Sequence, residues 1–428
     1  MGQVRVDLNF LSKNKRILVE LLSAAIGKGR FSPVSHADID WPGVFAEAKK
    51  HQVLPLLYPV LSDCGLCSCI SGESLEELRN ASLFDGKEEE SKYFNIRMIL
   101  SGLYNANIPV IVLKGLVLRE LYPHPCLRTM TDVDLLVRPE DMDRAANVLK
   151  KMGYRADIDQ DKHAAYTHEF FSAIELHRSM EPLGMLENYD CFEEHAWKHA
   201  IPVNVSGVQV LSLERTDKMI YLVIHMASHI ISSGFGLRQL CDFVLFIEAY
   251  KEKVDWCRFY SIIQNLHLEN FTNAVFEVCH KLFDLTLPLK CNMKENNSEL
   301  VANDLMMDIF DAGVFGLDDK DRITANRMLY YSGGSEAKTP GNRLRIFAQL
   351  FFPNADKLDV RFGYARRYPI LLPAAWIHRF FYNLFRRDID FTEKTAVFTP
   401  AASTVIYSKR SALLKELGLS DKQSGGTL

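Results

Sequence analysis

Two aspartates, Asp132 and Asp134, stand two residues apart in the apolar run TDVDLLV. Side chains alternate across a strand, so the pair shares one face while Val133 and Leu135 face the other way. Adjacent like charges repel, and a cation or a proton is needed to resolve them. Oxygen ligands suit Mg²⁺, which shares its coordination sphere readily with phosphate oxygens, so the spacing fits a metal clamp. The alternative is that one aspartate caps the strand or pairs with Arg128 or Arg138. Upstream, Lys114-Gly115 follows the β-branched run IPVIVL, where backbone N–H groups and a cation can meet phosphates. A third acid, Glu175 in SAIELHR, sits on a later strand with His177 two residues on and on the same face.

Softer candidates follow. Arg128, four residues before Asp132, could neutralise phosphate charge or form an ion pair with a surface acid. In YLVIHMASHI, His225 and His229 stack at i and i+4 on a helix that is apolar nearly all round, and a satisfied buried pair outweighs a zinc site because no third ligand is evident. Arg238 and Asp242 are also four apart, the spacing of a helix-surface ion pair. CGLCSC has no matching half-site and is expected to be a loop with free thiols. The stretch from Arg361 to Arg387 carries six arginines and no acid, interleaved with aromatics; such a stretch can grip nucleic acid or a membrane surface, but burial of its aromatics against preceding helices is expected, with arginines reaching to water.

The elements that must position these groups are legible in outline. Residues 1–107 read as helical, with RILVELLSAAIGKG ending in a glycine stop, DWPGVFAEAKK opening on Asp-Trp-Pro, and a long helix from about Ser74 to Asn107. Residues 108–213 alternate strand and helix: IPVIVL, then TDVDLLV, then a helix opened by Pro139 and closed by Gly153, then EFFSAIELHR, then a hairpin turning at Ser206-Gly207. Residues 214–390 return to a helical period, and residues 391–428 read as a partly disordered tail ending in DKQSGGTL. A 428-residue chain that is 48% apolar is long enough for more than one core, and a net charge of −4 implies no global attraction to nucleic acid or an anionic surface. Nine scattered cysteines and no apolar run of spanning length lead to the expectation of a soluble cytoplasmic protein.

Together, LKG, LYPHPCLRTMTDVDLLV, KMGY and IELHR resemble an uncharacterised bacterial nucleotidyltransferase family of the DNA polymerase β-like superfamily. The resemblance runs over roughly residues 38–250, from WPGVFAEAKKHQVLPLLY to LRQLCDF, with weaker echoes near RYPILLP. It implies an α+β fold: a mixed sheet with flanking helices, an N-terminal helical segment and a C-terminal helical domain. By the same resemblance Asp132 and Asp134 would bind one or two Mg²⁺ ions, with Mn²⁺ as the alternative, and Glu175 would complete the catalytic site as metal ligand or general base. Lys114 and the Gly115 amide would hold the triphosphate, and Arg128, His177, His229, Arg238 and Asp242 would complete the nucleotide-binding cleft. The implied activity is transfer of a nucleoside monophosphate from a nucleoside triphosphate, ATP among them, to an unidentified small molecule, peptide, protein or RNA end. Two departures stand out: Lys114-Gly115-Leu116 replaces the superfamily's Gly-Ser pair, and the third acid is Glu where Asp is commoner. The missing hydroxyl favours the alternative of a catalytically degenerate module that binds a nucleotide or a partner.

Overall fold

The computed structural model describes residues 8–31, 39–82, 86–159, 163–180, 189–288, 298–314, 320–332, 348–349, 351–355, 358, 360–385 and 400–420. It is an α+β protein in which helices flank a seven-stranded mixed sheet. The strands are β1 (Val110–Val112), β2 (Asp132–Val137), β3 (Arg155–Asp159), β4 (His163–Thr167), β5 (Ala173–His177), β6 (Ile201–Val205) and β7 (Val208–Ser212), in the order β3-β4-β5-β2-β1-β7-β6. Strand β2 runs parallel to β5 and antiparallel to β1, which runs parallel to β7.

Period-two alternation divides the sheet into two faces. Val133, Leu135 and Val137 of β2 join Ile174 and Leu176 of β5 in one core, covered by the helices Gly86–Asn105 and Met142–Lys151. The second of these buries Met142, Ala145, Ala146 and Leu149, an i, i+3, i+4, i+7 stripe. On the opposite face Ile111, Leu113 and Leu136 join the larger core of the N-terminal and C-terminal helices. Asp132 and Asp134 alternate with Val133 and Leu135, so the pleat aims them at this second, helical side.

The hairpin turns as expected: Ser206 and Gly207 have φ of 50° and 83°, the left-handed pair that a two-residue turn between twisted strands requires. The Met142–Lys151 helix opens with a short turn at Pro139–Asp141, and Gly153 at φ 90° lets the chain reverse after it. The long helix expected from Ser74 is instead two, Gly72–Ser82 and Gly86–Asn105, with residues 83–85 outside the described set. Strands β3 and β4 carry no strong β-propensity in RADID and HAAYT; they exist because β5 offers them an edge to pair with. Within the segment read as a tail, Pro400–Glu416 is a helix that buries Tyr407 and Leu414 against the main core; residues 421–428 fall outside the described set.

Every described cysteine is a free thiol. Among the described residues no helix is long and apolar enough to cross a membrane.

Candidate functional site

Parallel pairing of β2 with β5 sets Asp134 directly beside Glu175 and Asp132 beside Ala173. Residues opposite one another in parallel strands share a face, so the third acid is brought to the first two by register alone. His177, two residues beyond Glu175, leans back over both acids: its Nε2 lies 3.1 Å from Asp134 Oδ1 and 3.3 Å from Glu175 Oε2. Ligand atoms of Asp134, Glu175 and His177 all fall within 4.8 Å of one another, close enough to converge on one ion.

Strand β1 ends where the chain turns through Lys114 into the short helix Gly115–Leu118. That turn is tied to β2 by the Leu113 amide, which donates to the Asp134 carbonyl at 3.2 Å. Lys114 Nζ then reaches Asp134 Oδ1 at 3.0 Å and His225 Nε2 at 2.7 Å. Gly115 is a close-approach position, because a Cβ there would stand 2.7 Å from Met130 Sδ and 3.2 Å from Arg128 Nη1. Beneath the turn, the wholly buried amine of Lys218 donates to the carbonyl oxygens of Val112 and Leu113.

The far wall of the cleft comes from the helices Arg215–Ser232 and Leu237–Tyr250, which present His225, His229, Arg238 and Asp242 opposite Lys114, Gly115, Asp132 and Asp134. His225 and His229 form the expected pair, half-buried on the cleft wall, with their Nε2 atoms 3.1 Å apart. The helix-surface ion pair expected between Arg238 and Asp242 gives way to longer-range bonds. Asp242 is buried and is gripped by Arg128 through Nε and Nη2, both at 2.7 Å, with the Tyr122 hydroxyl donating at 2.7 Å. A buried carboxylate without partners is costly, and the planar guanidinium satisfies both its oxygens at once. Arg128, expected to face phosphate, therefore has its fork directed at Asp242. Arg238 Nη1 instead donates to Gln52 Oε1 at 2.6 Å and the Thr129 carbonyl at 3.1 Å, and its buried Nε has no hydrogen-bond partner. The N-terminal helices thus reach the cleft: His51 Nδ1 accepts from the Leu237 amide at 3.2 Å, at the start of the helix that carries Arg238.

The electrostatics of the acids diverge. Burial alone would raise Asp134, but Lys114 and His177 outweigh it and hold the carboxyl well below the usual range. Asp132 is raised, first by burial and then by the neighbouring charge of Asp134, with Lys114 opposing. The hydrogen bond from His177 lowers Glu175. Burial opposes the charge on His177, yet its bonds to Asp134 and Glu175 raise it. His225 is pushed well down by burial and then by Lys114, and His229 falls to about 4 for the same reasons. Burial brings Lys218 down to about 7.

Every residue singled out from the sequence as catalytic or nucleotide-binding lies in or beside this one cleft. Sequence reasoning missed His225 as a partner of Lys114, and Lys218 altogether. The signal for Lys218 was slight, because it stands at the edge of the apolar stretch MIYLVI directly after Asp217 and reads as a helix-start charge.

No curated protein matches this chain. Among solved structures, the solution structure of the antibiotic-resistance factor ANT(2'')-Ia is similar at 14% identity and a TM-score of 0.31, covering 43% of this chain and 97% of its own. The family model described as an uncharacterised nucleotidyltransferase matches residues 37–284, more than half of the chain, and spans both walls of the cleft from Gln52 to Asp242. The chain belongs to that nucleotidyltransferase family.

Proposed function

We propose that this protein is a Mg²⁺-dependent nucleotidyltransferase that moves a nucleoside monophosphate from a nucleoside triphosphate to an acceptor hydroxyl or amine. The observation that carries the reading is the convergence of Asp134, Glu175 and His177 within 4.8 Å, with Asp132 on the same face of the sheet. Three carboxylates facing one cleft carry more negative charge than Lys114 and His177 offset, which is the donor chemistry a hard divalent cation requires. Asp132, Asp134 and Glu175 would hold Mg²⁺, with Mn²⁺ as the alternative. The bound ion supplies charge neutralisation at the α-phosphate and a lowered pKa for the attacking group.

The chain's own groups account for the rest. Lys114, released from Asp134, has the reach and the three donors to grip the β- or γ-phosphate, replacing the absent hydroxyl with a full charge. The Gly115 amide opens a helix toward the same phosphates. Glu175 would accept the acceptor's proton as the acceptor oxygen or nitrogen bonds to the α-phosphorus and the bond to pyrophosphate breaks. His177 holds both carboxylates in register by hydrogen bonds, as outer-shell partners of metal ligands do. Arg128 and Asp242 lock the second wall to the sheet, leaving Arg238 and His229 to face the nucleotide.

One observation favours a second reading. The Lys114 amine already lies 3.0 Å from Asp134, a lysine standing where a cation would. In a catalytically degenerate module this ion pair is permanent, and nucleotide or partner binding needs no metal. Thermal melting with each nucleoside triphosphate, with and without Mg²⁺, separates the two, since a ligand of the folded state raises its stability by mass action. Stabilisation that requires both triphosphate and Mg²⁺ is the expected result. Labelled nucleotide added to a lysate, followed by mass spectrometry of what gained its monophosphate, then identifies the acceptor; no transfer to any species, with metal-independent binding, rejects the enzyme.

A further inference from the structure

The segment with six arginines and no acid does not bury its apolar residues as its sequence suggested. It builds a small unit of its own: Phe362, Ala365 and Ala375 close with Leu358 into a core separate from the two that enclose the sheet. Trp376 anchors the unit by donating its indole N–H to the Pro353 carbonyl at 2.8 Å, and Phe351 alongside packs on the main core. What remains outside is the larger part of the apolar surface. Ile370 is 88% exposed, Ile377 60% and Phe380 56%, with Tyr368 and Leu371 beside them.

These positions are not scattered. The helix Leu372–Phe385 places Ile377 and Phe380 one turn apart, and Pro373 and Ala374, both exposed, fill the turn before them toward Ile370. The result is a continuous apolar stripe facing solvent, larger than the isolated exposed hydrophobic residues that need no explanation. Charge borders it. Arg361 lies over the Tyr382 ring at 4.0 Å and Arg367 over the Tyr368 ring at 5.6 Å, both on the exposed surface, and no aspartate or glutamate occurs between Arg361 and Arg387.

We infer that this unit is a peripheral docking surface for an anionic phospholipid membrane. A helix with an apolar outer stripe, flanking arginines and aromatic residues is built to lie in the plane of a bilayer interface. At 14 residues, about 21 Å long, it is too short to cross the hydrocarbon core. Charge complementarity selects the occupant. A second copy docked symmetrically would set the arginines of this stretch against one another, with no acid among the described residues from Val360 to Phe385 to offset them. Single-stranded RNA stacks on open aromatic faces, whereas the two most exposed residues of the stripe are aliphatic and the Tyr368 and Tyr382 rings lie under arginine, which leaves Phe380 and Phe381 as its exposed rings. Anionic headgroups match the arginines while acyl chains receive Ile370 and Ile377. The surface lies outside the stretch matched by the nucleotidyltransferase family, so the inference stands apart from the proposed reaction.

Co-sedimentation of the full chain with phosphatidylcholine vesicles, with and without about one third phosphatidylglycerol, tests it. Binding is expected only with phosphatidylglycerol, falling as salt rises. The Ile370→Glu/Ile377→Glu variant should lose at least about tenfold in vesicle affinity. Because both side chains face solvent, its melting temperature should match wild type, which separates lost docking from lost folding. Absence of binding by wild type, or equal binding by the variant, overturns the proposal. So does a dimer in sedimentation velocity that this variant dissolves while vesicles stay unbound, which would give the face to a second copy. Binding of a single-stranded RNA oligonucleotide that Arg361→Gln/Arg367→Gln abolishes, again without vesicle binding, would give it to nucleic acid.

Discussion

Among the clusters that bury carboxylates in the described residues, two resolve the charge in opposite ways. In the helical half, Asp308 receives Arg322 at 3.0 and 2.8 Å and Arg410 at 2.7 and 2.8 Å. Arg410 and Arg322 donate their remaining reach to the carbonyls of Ile230 and Ser233, so the cluster closes around one acid with two cations. Burial would raise Asp308, but the two arginines outweigh it and lower it. In the cleft the acids are less fully matched: Asp132, Asp134 and Glu175 face Lys114, His177 and Arg238, and Asp132 is left raised. A closed cluster serves the fold, here by fastening the helix that carries Arg410 to the body. An open one stores unfavourable charge that only a ligand removes, and that is the physical signature of a site.

The sharpest break between the two should come from neutralising their central acids. Asp134→Asn is expected to lower nucleotidyl transfer by at least about a thousandfold, read by incorporation of labelled nucleotide, because the metal would lose its most ionised ligand. A folded variant with near-normal transfer would make the cleft structural. Asp308→Ala should leave the chemistry of the folded fraction unchanged and instead cost about 3–5 kcal/mol in urea unfolding, since two buried guanidinium groups lose their counter-charge. A loss under about 1 kcal/mol would mean the cluster fastens nothing.

Lys114→Met tests whether the cleft's cation is exchangeable. Charge-assisted hydrogen bonds contribute roughly 1.5–3 kcal/mol, so affinity for a non-hydrolysable triphosphate should drop about ten- to a hundredfold with monophosphate affinity nearly unchanged. An equal drop for both ligands would make Lys114 a permanent partner of Asp134, as closed as the Asp308 cluster.

The smallest expected effect is a gain. Asp132 is raised, so from the ordinary carboxylate value of 3.8 upward the folded chain holds a proton the unfolded chain has released. Stability is therefore lost as pH rises from that value through the folded pKa, and Asp132→Asn removes the loss. The variant should be steadier than wild type at pH 7, with the difference vanishing toward pH 3 while transfer falls. A variant less stable than wild type at pH 7 would show that Asp132 is paired and the cluster closed.

Strand alternation and helical spacing, which are properties of a few neighbouring residues, are enough to put Asp132 and Asp134 on one face, to turn the chain at Ser206-Gly207 and to bury YLVIHMASHI. Resemblance to a family extended this to Glu175 and to the far wall of the cleft. None of that local information contains distance between segments. Only the tertiary structure set Asp134 beside Glu175 by parallel register, gave Arg128 to Asp242 across 114 residues of chain, and seated Lys114 on His225. It alone turned the stripe from Ile370 to Phe380 outward, because whether an apolar face is buried depends on what packs against it. Pairing energies rise steeply as charges approach and leave water, so the partner of a buried ion is decided by the completed packing and not by spacing along the chain.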